Sequence, residues 1–349
     1  MRFCSKVGTV VVLLLLSVGF ARDVIVPANA SRDEVQRLIN EAGSGDTIVF
    51  EGGSYGPFDA SLVVTDTNLS FVSRIGRTSI SNDGDGPVLR VQNGSSFSCT
   101  NISFEYDGRG TDRNTDVVVV TDGFVSIQSC NFSGGVENPL ANPPLGSGLL
   151  LSGDVTGAIV DSTFTNNEFN GITVQNNALP GNTAGVNIMR NIITNNGHDG
   201  VLVRGNATPL LESNKINANR EDGVSYEDTS SGLARNNIVD GNGDDGFDIT
   251  DSATPTVEMN TVFLNGDDGF EISVFAAPDI MGNDVRDNED VAFSYEYIAG
   301  GTIDGNTCQN NRGTRFVPIG DGDVILVPTT SGLVLNVGVN NVNCTVTVY

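Results

Sequence analysis

Several residue types are scarce or absent in this sequence. Its 349 residues include no tryptophan, one histidine and five cysteines, and 18 basic residues are outnumbered by 43 acidic ones. A net charge of −25 disfavours DNA, RNA and anionic membranes as partners, because like charges repel. No Cys-x-x-Cys or Cys/His spacing typical of zinc is present. The lack of tryptophan also weakens the case for a tight carbohydrate-binding module, which stacks sugars on outward aromatic rings.

Long apolar runs are also missing, except at the N-terminus. Arg2 and Lys6 precede an apolar run over 7–20, and the small residue Ala21 follows it. This order is typical of a signal peptide over residues 1–21, and the run is too short for a membrane-spanning helix. We therefore expect a secreted, extracellular protein with no membrane insertion after cleavage.

Four cysteines would remain after cleavage, an even number for an oxidising compartment. Cys99 and Cys130 lie at like places in neighbouring coils of the repeat described below, which predicts that they stack within bonding reach. Cys308 and Cys344 would then join the last coils. The sequence thus predicts two disulfides.

Sequons for N-glycosylation are frequent, as in a glycoprotein. They occur at Asn29, Asn68, Asn93, Asn101, Asn131, Asn206 and Asn343. None falls between Asn206 and Asn343, so glycans would leave that stretch bare.

The middle of the chain repeats every 23 residues, in two columns of asparagine. The first column is Asn191, Asn214, Asn237, Asn260, Asn283 and Asn306. The second is Asn196, Asn219, Asn242, Asn265, Asn288 and Asn311, with Asn167 as an earlier member. Stacked side-chain amides bond to one another along the axis of a solenoid, so we interpret both columns as structural.

A short alternating strand follows each second asparagine, as in Gly200–Val203 and Gly246–Ile249. Short strands in a repeat of this length, with no helix, bury their apolar side only by stacking on the coils above and below. The predicted fold is all-β, a right-handed parallel β-helix of about 23-residue coils with a short N-terminal capping helix.

The ends of such a solenoid need covers, because its terminal strand edges are otherwise exposed. Ser31 begins a capping box, which predicts an amphipathic capping helix over about 31–43. We expect a single domain over 22–349, with regular coils over about 191–311 and a closing segment over about 313–349.

Other segments resemble the pectate-lyase-like superfamily of parallel β-helix proteins. The resemblance rests on Gly45–Phe50, Gly53–Tyr55, Gly86–Val91 and the asparagine-rich coils, and it covers nearly the whole mature chain. It implies the fold and a sugar substrate class, since members include polysaccharide lyases, hydrolases, epimerases and noncatalytic surface proteins.

Catalytic motifs of that superfamily are missing. Gly243–Asp245 and Gly197–Gly200 are similar to two polygalacturonase motifs, but their order is reversed and no Arg-Ile-Lys follows. No Arg-x-Pro-x-x-Arg segment of pectate lyases is present either. A functional site must therefore be inferred from chemistry alone.

Acidic residues recur in the turns before these strands and on the strands themselves. In stacked coils they would repel one another unless they bind protons or share a cation, and calcium is the hard, oxygen-seeking cation outside cells. The alternative is that Asp-Gly is good turn chemistry that also keeps the solenoid soluble. The predicted metal ligands are Asp222, Asp244, Asp245, Asp248, Asp267, Asp268 and Glu271.

Three cationic or titratable residues near these acids are candidate catalytic bases: Arg220, Lys215 and His198. In a calcium-assisted β-elimination, a base removes the proton next to a uronate carboxylate that the metal neutralises. The duller interpretations are an ion pair or solvated position for Arg220 and Lys215, and an acid-paired turn residue for His198.

Two functions follow from these residues. The first is a secreted, monomeric protein that binds or modifies acidic polysaccharide through calcium, as a lyase or an epimerase. The second is a noncatalytic structural or adhesive β-helix protein of a cell surface or wall, which needs neither base nor metal. A hydrolase acting through paired carboxylates is a third hypothesis.

Overall fold

The computed structural model confirms the predicted fold. It describes residues 21–108, 114–138, 140, 144–176, 185–295, 299–312, 335–337 and 340–346. These residues form a right-handed parallel β-solenoid of about 11 turns and contain one short helix. The expected signal peptide lies outside the described residues except for Ala21, and so does most of the expected closing segment.

The N-terminal coils begin with a strand, the helix and a second strand. These coils contain β1 (Asp23–Val26), α1 (Arg32–Glu41), β2 (Thr47–Phe50), β3 (Gly53–Thr65), β4 (Leu69–Ser73), β5 (Thr78–Gln92), β6 (Ser96–Thr100), β7 (Ile102–Tyr106), β8 (Val118–Gln128), β9 (Asn131–Ser133), β10 (Leu149–Val160) and β11 (Thr163–Thr165). Ser31 caps α1 by accepting a hydrogen bond from the Glu34 amide, and Val35 and Ile39 are buried.

Three parallel sheets run through the regular coils. Sheet 1 contains β12 (Ile172–Asn176), β15 (Val201–Gly205), β18 (Val224–Tyr226), β21 (Phe247–Ile249), β24 (Phe270–Ile272) and β27 (Phe293–Tyr295). Sheet 2 contains β13 (Val186–Met189), β16 (Leu210–Glu212), β19 (Leu233–Arg235), β22 (Thr256–Glu258) and β25 (Asp279–Met281). Sheet 3 contains β14 (Ile192–Thr194), β17 (Lys215–Asn217), β20 (Ile238–Asp240), β23 (Thr261–Phe263) and β26 (Asp284–Arg286).

The chain ends in three further strands, β28 (Thr302–Gln309), β29 (Leu335–Val337) and β30 (Asn340–Val346). The strand β28 pairs in parallel with β25, β26 and β30, and β29 pairs with β30 in the antiparallel sense. In the described part of the chain, no helix is both long and apolar enough to cross a membrane.

Register within the sheets follows the sequence period. Val201 pairs with Val224, and Phe247 pairs with Phe270, each 23 residues further along. Alternate residues point inward to form the core, in which the rings of Phe247 and Phe270 stack with centroids 4.9 Å apart. Strand residues that point outward therefore stack in columns on the same sheet face.

The two asparagine columns are buried and bonded from coil to coil. The Oδ1 of Asn237 accepts hydrogen bonds from the backbone amide and the Nδ2 of Asn214, at 2.9 and 3.0 Å. The second column is built alike, and Asn167 donates to Asn196 across a longer coil at 2.9 Å. Side chains in these columns satisfy buried backbone groups at the bends.

The cysteines depart from the expected register. Cys99 pairs with Ile127 rather than with Cys130, so the two cysteines do not occupy like places. Both are free thiols in the structure, although their Sγ atoms lie 3.1 Å apart. Cys308 is disulfide-bonded, while the side chain of Cys344 lies outside the described residues.

Candidate functional site

An acidic turn connects sheet 3 to sheet 1 in each regular coil. In one coil the turn runs from Asn219 to Gly223, where β18 is about to begin. A Cβ atom on Gly223 would lie 2.3 Å from a methyl group of Val239 and 2.6 Å from the carbonyl oxygen of Gly246, so only glycine fits. This close stacking brings the preceding aspartates of successive coils into one column.

We call this column the aspartate ladder; it contains Asp199, Asp222, Asp245 and Asp268. Each Oδ1 accepts a hydrogen bond from the backbone amide of the equivalent residue one coil further on. The distances are 3.3 Å from the Asp222 amide to Asp199, 2.9 Å from Asp245 to Asp222, 2.7 Å from Asp268 to Asp245, and 2.8 Å from Val291 to Asp268. The carboxylates thus hold the coils together as well as carrying charge.

Burial and mutual repulsion raise the pKa of every carboxyl in the ladder. Desolvation is the main cause for each of them, and the neighbouring ladder charges add to it for Asp199 and Asp245. The pKa of Asp245 rises to about 11, those of Asp222 and Asp268 rise to about 7, and that of Asp199 is also raised. Asp245 therefore holds a proton at neutral pH, and Asp222 and Asp268 are partly protonated, unless a cation replaces the protons.

Two groups of three carboxylates have oxygens close enough to share one metal ion. In each group the oxygens lie within 4.8 Å of one another. The groups are Asp244, Asp245 and Asp267, and Asp267, Asp268 and Asp290. Asp267 belongs to both groups, so adjacent sites would share its carboxylate.

Sheet 1 adds carboxylates beside the ladder. Asp248 on β21 pairs in register with Glu271 on β24, and both side chains are only partly exposed. Desolvation, followed by repulsion from Asp222 and Glu271, raises the pKa of Asp248 to about 8. Burial likewise raises the pKa of Glu227. The acidic surface therefore extends from the turns onto the face of sheet 1.

The predicted metal ligands divide into two sets. Four of them, Asp244, Asp245, Asp267 and Asp268, belong to the three-carboxylate groups. Three of them, Asp222, Asp248 and Glu271, lie outside these groups; the charges of Asp222 and Glu271 raise the pKa of Asp245, and the charge of Asp244 raises the pKa of Asp248. Asp290 was missing from the predicted set, although its 23-residue spacing from Asp267 could have revealed it.

His198 lies between two glutamates. Its Nδ1 is 2.8 Å from a carboxylate oxygen of Glu221, and its Nε2 is 3.1 Å from one of Glu137. The ring of Phe169 packs against the imidazole with centroids 4.7 Å apart. Both ring nitrogens are thus engaged, as expected for an acid-paired turn residue rather than a free base. The contact with Glu137, 61 residues away, could not be foreseen from the sequence.

Lys215 and Arg220 do not face the carboxylate groups. Lys215 is exposed on β17 in sheet 3, where burial raises the pKa of Asp240 and the charge of Lys215 partly offsets that rise. Arg220 is exposed in the turn, at a surface groove of about 460 Å³ that Glu168 and Asn195 also line. Neither residue is therefore placed as a base beside the metal groups.

Arg204 is the cation that the structure places on sheet 1 next to the acidic surface. Its Nε and Nη2 donate to the Gln175 side-chain oxygen at 2.9 and 2.6 Å. Burial raises the pKa of Glu227, and the charge of Arg204 partly offsets that rise. Arg204 was not among the predicted catalytic residues, although it lies near the end of β15, in the coil that precedes the turn of Arg220.

The polar turn column extends beyond the aspartates, toward the N-terminus. Asn170 accepts a hydrogen bond from the Asp199 amide at 3.0 Å, and Asp116 accepts from the amides of Gly146 and Ser147. Asp116 is 2% exposed, and burial raises its pKa. These members lie in longer and irregular coils, so they do not follow the 23-residue spacing.

Comparison with known proteins agrees with this architecture. Residues 115–277 match a family described as "Right handed beta helix region". None of the curated proteins matches the sequence. The match covers all four residues of the aspartate ladder.

Solved structures with this fold include carbohydrate-active proteins. The A-module of a mannuronan C-5 epimerase from Azotobacter vinelandii, AlgE6, is 16% identical with a TM-score of 0.65, over 81% of this chain and 84% of that one. The Dettilon tailspike protein is 14% identical with a TM-score of 0.60, over 83% and 63%. The PL6 family alginate lyase AlyGC is 13% identical with a TM-score of 0.56, over 82% and 44%. The chain thus spans less than two thirds of the tailspike and of the lyase, and at these identities the likeness shows the fold alone.

Proposed function

We propose that this protein binds acidic polysaccharide outside the cell through calcium held at the edge of sheet 1. The observation that carries the proposal is the pair of carboxylate groups that share Asp267, each with oxygens within 4.8 Å. Their buried members, Asp245 and Asp268, have raised pKa values, so a bound cation would relieve a repulsion that otherwise requires protons.

The donor set fits calcium. All members are carboxylates, which are hard oxygen ligands, and calcium takes six to eight of these at flexible geometry. Asp244 is exposed, and Asp267 and Asp290 are partly exposed, so solvent or a sugar carboxylate has access to complete the coordination. Bound calcium would supply positive charge that an anionic polymer needs on a surface this acidic.

The partner class follows from charge and from the fold. A polyuronate would be repelled by the ladder alone, so binding needs the metal together with Arg204 on the same sheet face. Two of the structurally similar proteins are named for action on such polymers: one is a mannuronan epimerase and the other is an alginate lyase. Alginate and pectate are therefore the polymers to test first.

Binding without turnover is the form of this function that the side chains favour. A lyase or epimerase needs a base beside the metal-neutralised carboxylate. Lys215 lies on another sheet, Arg220 lies in an outer groove, and both nitrogens of His198 are engaged by glutamates. An adhesive or structural role in a wall or matrix is consistent with this arrangement.

The test compares calcium and polymer binding in matched variants. Asp267→Asn removes the carboxylate common to both groups, whereas Asp279→Asn removes an exposed carboxylate on sheet 2. By calorimetry we expect Asp267→Asn to lose calcium affinity at least tenfold, and by affinity electrophoresis to lose calcium-dependent retardation in alginate or pectate. Asp279→Asn should match the wild type. Equal calcium affinity in the two variants would refute the site.

Turnover is tested in the same samples. Calcium-dependent ultraviolet absorbance from unsaturated uronate would identify a lyase, and a changed uronate composition by NMR would identify an epimerase. Either result would contradict binding without turnover and would make His198 the first residue to substitute. Secretion is part of the proposal, and N-terminal sequencing of secreted protein should show cleavage after Ala21.

A further inference from the structure

The first asparagine column changes its chemistry toward the N-terminus. The Ser162 amide donates to Asn191 at 2.9 Å, and the Cys130 amide donates to the Ser162 hydroxyl at 3.1 Å. The backbone amide of Ile102 in turn donates to the sulfur of Cys130. Cys130 is therefore the last side chain that accepts a hydrogen bond in this column, because the Ile102 side chain has no acceptor.

A second thiol meets Cys130 at this point. The Sγ of Cys99 lies 3.1 Å from the Sγ of Cys130, and both residues are buried, at 1% and 0% exposure. Cys99 comes from the preceding coil, through β6, which pairs with β8. Two thiols at this distance in a closely packed interior need little movement to bond.

The surroundings also make the two thiols unequal. Burial opposes ionisation of Cys130, but hydrogen bonds from the Cys99 thiol and the Ile102 amide outweigh it, so the pKa of Cys130 lies below its ordinary value. Burial raises the pKa of Cys99. In the packed coils the two thiols therefore differ in acidity.

We propose that Cys99 and Cys130 form a disulfide that continues the asparagine column as a covalent link between coils. The thiolate of one cysteine attacks one sulfur of a small-molecule disulfide and releases the first thiol. The thiolate of the other cysteine then attacks the protein sulfur of the mixed disulfide and releases the second. Overall the pair loses two electrons and two protons, and the oxidant becomes two thiols. Because both sulfurs are buried, the bond forms before these coils finish packing.

The link would join the coils where the amide column can no longer do so. The two cysteines are 31 residues apart, and closing a loop of that length restricts the unfolded chain. The bond therefore stabilises the irregular N-terminal coils against separation from the regular ones. This role is independent of the calcium site and of the proposed polysaccharide binding.

Peptide mapping tests the bond directly. Trypsin places Cys99 in the peptide 91–109 and Cys130 in the peptide 114–190, so only a disulfide keeps the two together. The full-length secreted protein is unfolded without reductant, treated with N-ethylmaleimide and digested. We expect a linked peptide pair, lighter by two hydrogens than the sum of its parts, with neither cysteine alkylated. Alkylation of both cysteines would overturn the proposal.

Thermal unfolding tests the role of the bond. The matched variant combines Cys99→Ala with Cys130→Ser, because Ser162 shows that the column accepts serine. Reduction should lower the unfolding midpoint of the wild type more than that of the variant, in which any remaining shift reports the disulfide of Cys308. Equal shifts in the two proteins would show that no stabilising bond exists between Cys99 and Cys130.

Discussion

The second asparagine column and the aspartate ladder run through the same coils. In the second asparagine column, the Oδ1 of Asn242 accepts from the Asn219 backbone and side chain, while its own Nδ2 donates onward to Asn265 at 3.0 Å. In the aspartate ladder, Asp222 accepts a hydrogen bond from the Asp245 amide, but its ionised carboxylate has no hydrogen to donate. The amide column is complete by itself, whereas the carboxylate ladder requires a proton or a cation. The comparison separates a column that holds the fold from one that can also bind a ligand.

The largest effect on stability is expected from a substitution in the first asparagine column. Asn237→Ala removes the acceptor of two Asn214 donors and the donor to the Leu211 carbonyl, all of them buried. We expect the free energy of unfolding to fall by about 4 kcal/mol, because buried groups lose their partners. Denaturant unfolding measures this, with exposed Asn187→Ala as the control. A loss no larger than that of the control would show that the column is dispensable.

The pH dependence of stability should come from the aspartate ladder and from Asp248 beside it. The pKa values of Asp222 and Asp268 are raised to about 7 and that of Asp248 to about 8, so between pH 4 and 8 the folded protein binds more protons than the unfolded chain. Without calcium, stability should therefore be greatest near pH 4 and fall toward pH 8. Unfolding curves across this range measure it. Saturating calcium should flatten the decline, and a rise in stability with pH would contradict the assignment.

A permanently neutral side chain at one position of the aspartate ladder should increase stability without calcium. Asp245→Asn keeps the acceptor for the Asp268 amide but removes the need to take up a proton at neutral pH. We expect calcium-free stability at pH 7 to increase by about 2 kcal/mol. Calcium should no longer stabilise this variant as it does the wild type. Destabilisation relative to the wild type in both conditions would mean that Asp245 is a purely structural carboxylate.

Calcium and protons should compete for the ladder. Because Asp245 holds a proton at neutral pH and Asp268 is partly protonated, calcium binding should release protons, and the affinity should rise about tenfold per pH unit for each full proton released. Calorimetry in two buffers of different ionisation enthalpy measures the number of protons released. A heat that is the same in both buffers would place the calcium away from the ladder.

The smallest effect is expected from the cations around the ladder. Arg204→Gln should weaken polymer binding about tenfold, since a charge-assisted hydrogen bond to a sugar carboxylate contributes about 1.5 kcal/mol. Lys215→Gln on sheet 3 should change neither polymer nor calcium binding, because that sheet faces away from the carboxylates. Affinity electrophoresis at fixed calcium compares the two. Equal losses would point to net charge rather than to one face.

Spacing along the chain predicted the fold well because the coils from residue 191 onward have equal length. The columns from Asn191 to Asn306 follow directly from that period, and so do the acids from Asp222 to Asp268. Before this stretch, coils differ in length, with steps of 29 residues from Thr163 to Ile192 and 31 from Val118 to Leu149. The expected equivalence of Cys99 and Cys130 failed there for that reason.

The candidate site was predictable only in part. The sequence placed Asp244, Asp245 and Asp267 in register, but their burial depends on how closely the coils stack at glycines such as Gly223. The contact between Glu137 and His198 depends on the path of an irregular earlier coil. The positions of Lys215 and Arg204 on different sheets depend on where the chain bends.

By itself the sequence determined the period, the polar columns and the excess of negative charge, because each of these is a local property repeated along the chain. Only the tertiary structure decided which carboxylates converge, which of them are buried and which cation lies beside them. Those properties depend on distances between coils and on the loss of water, and both arise only when the coils stack.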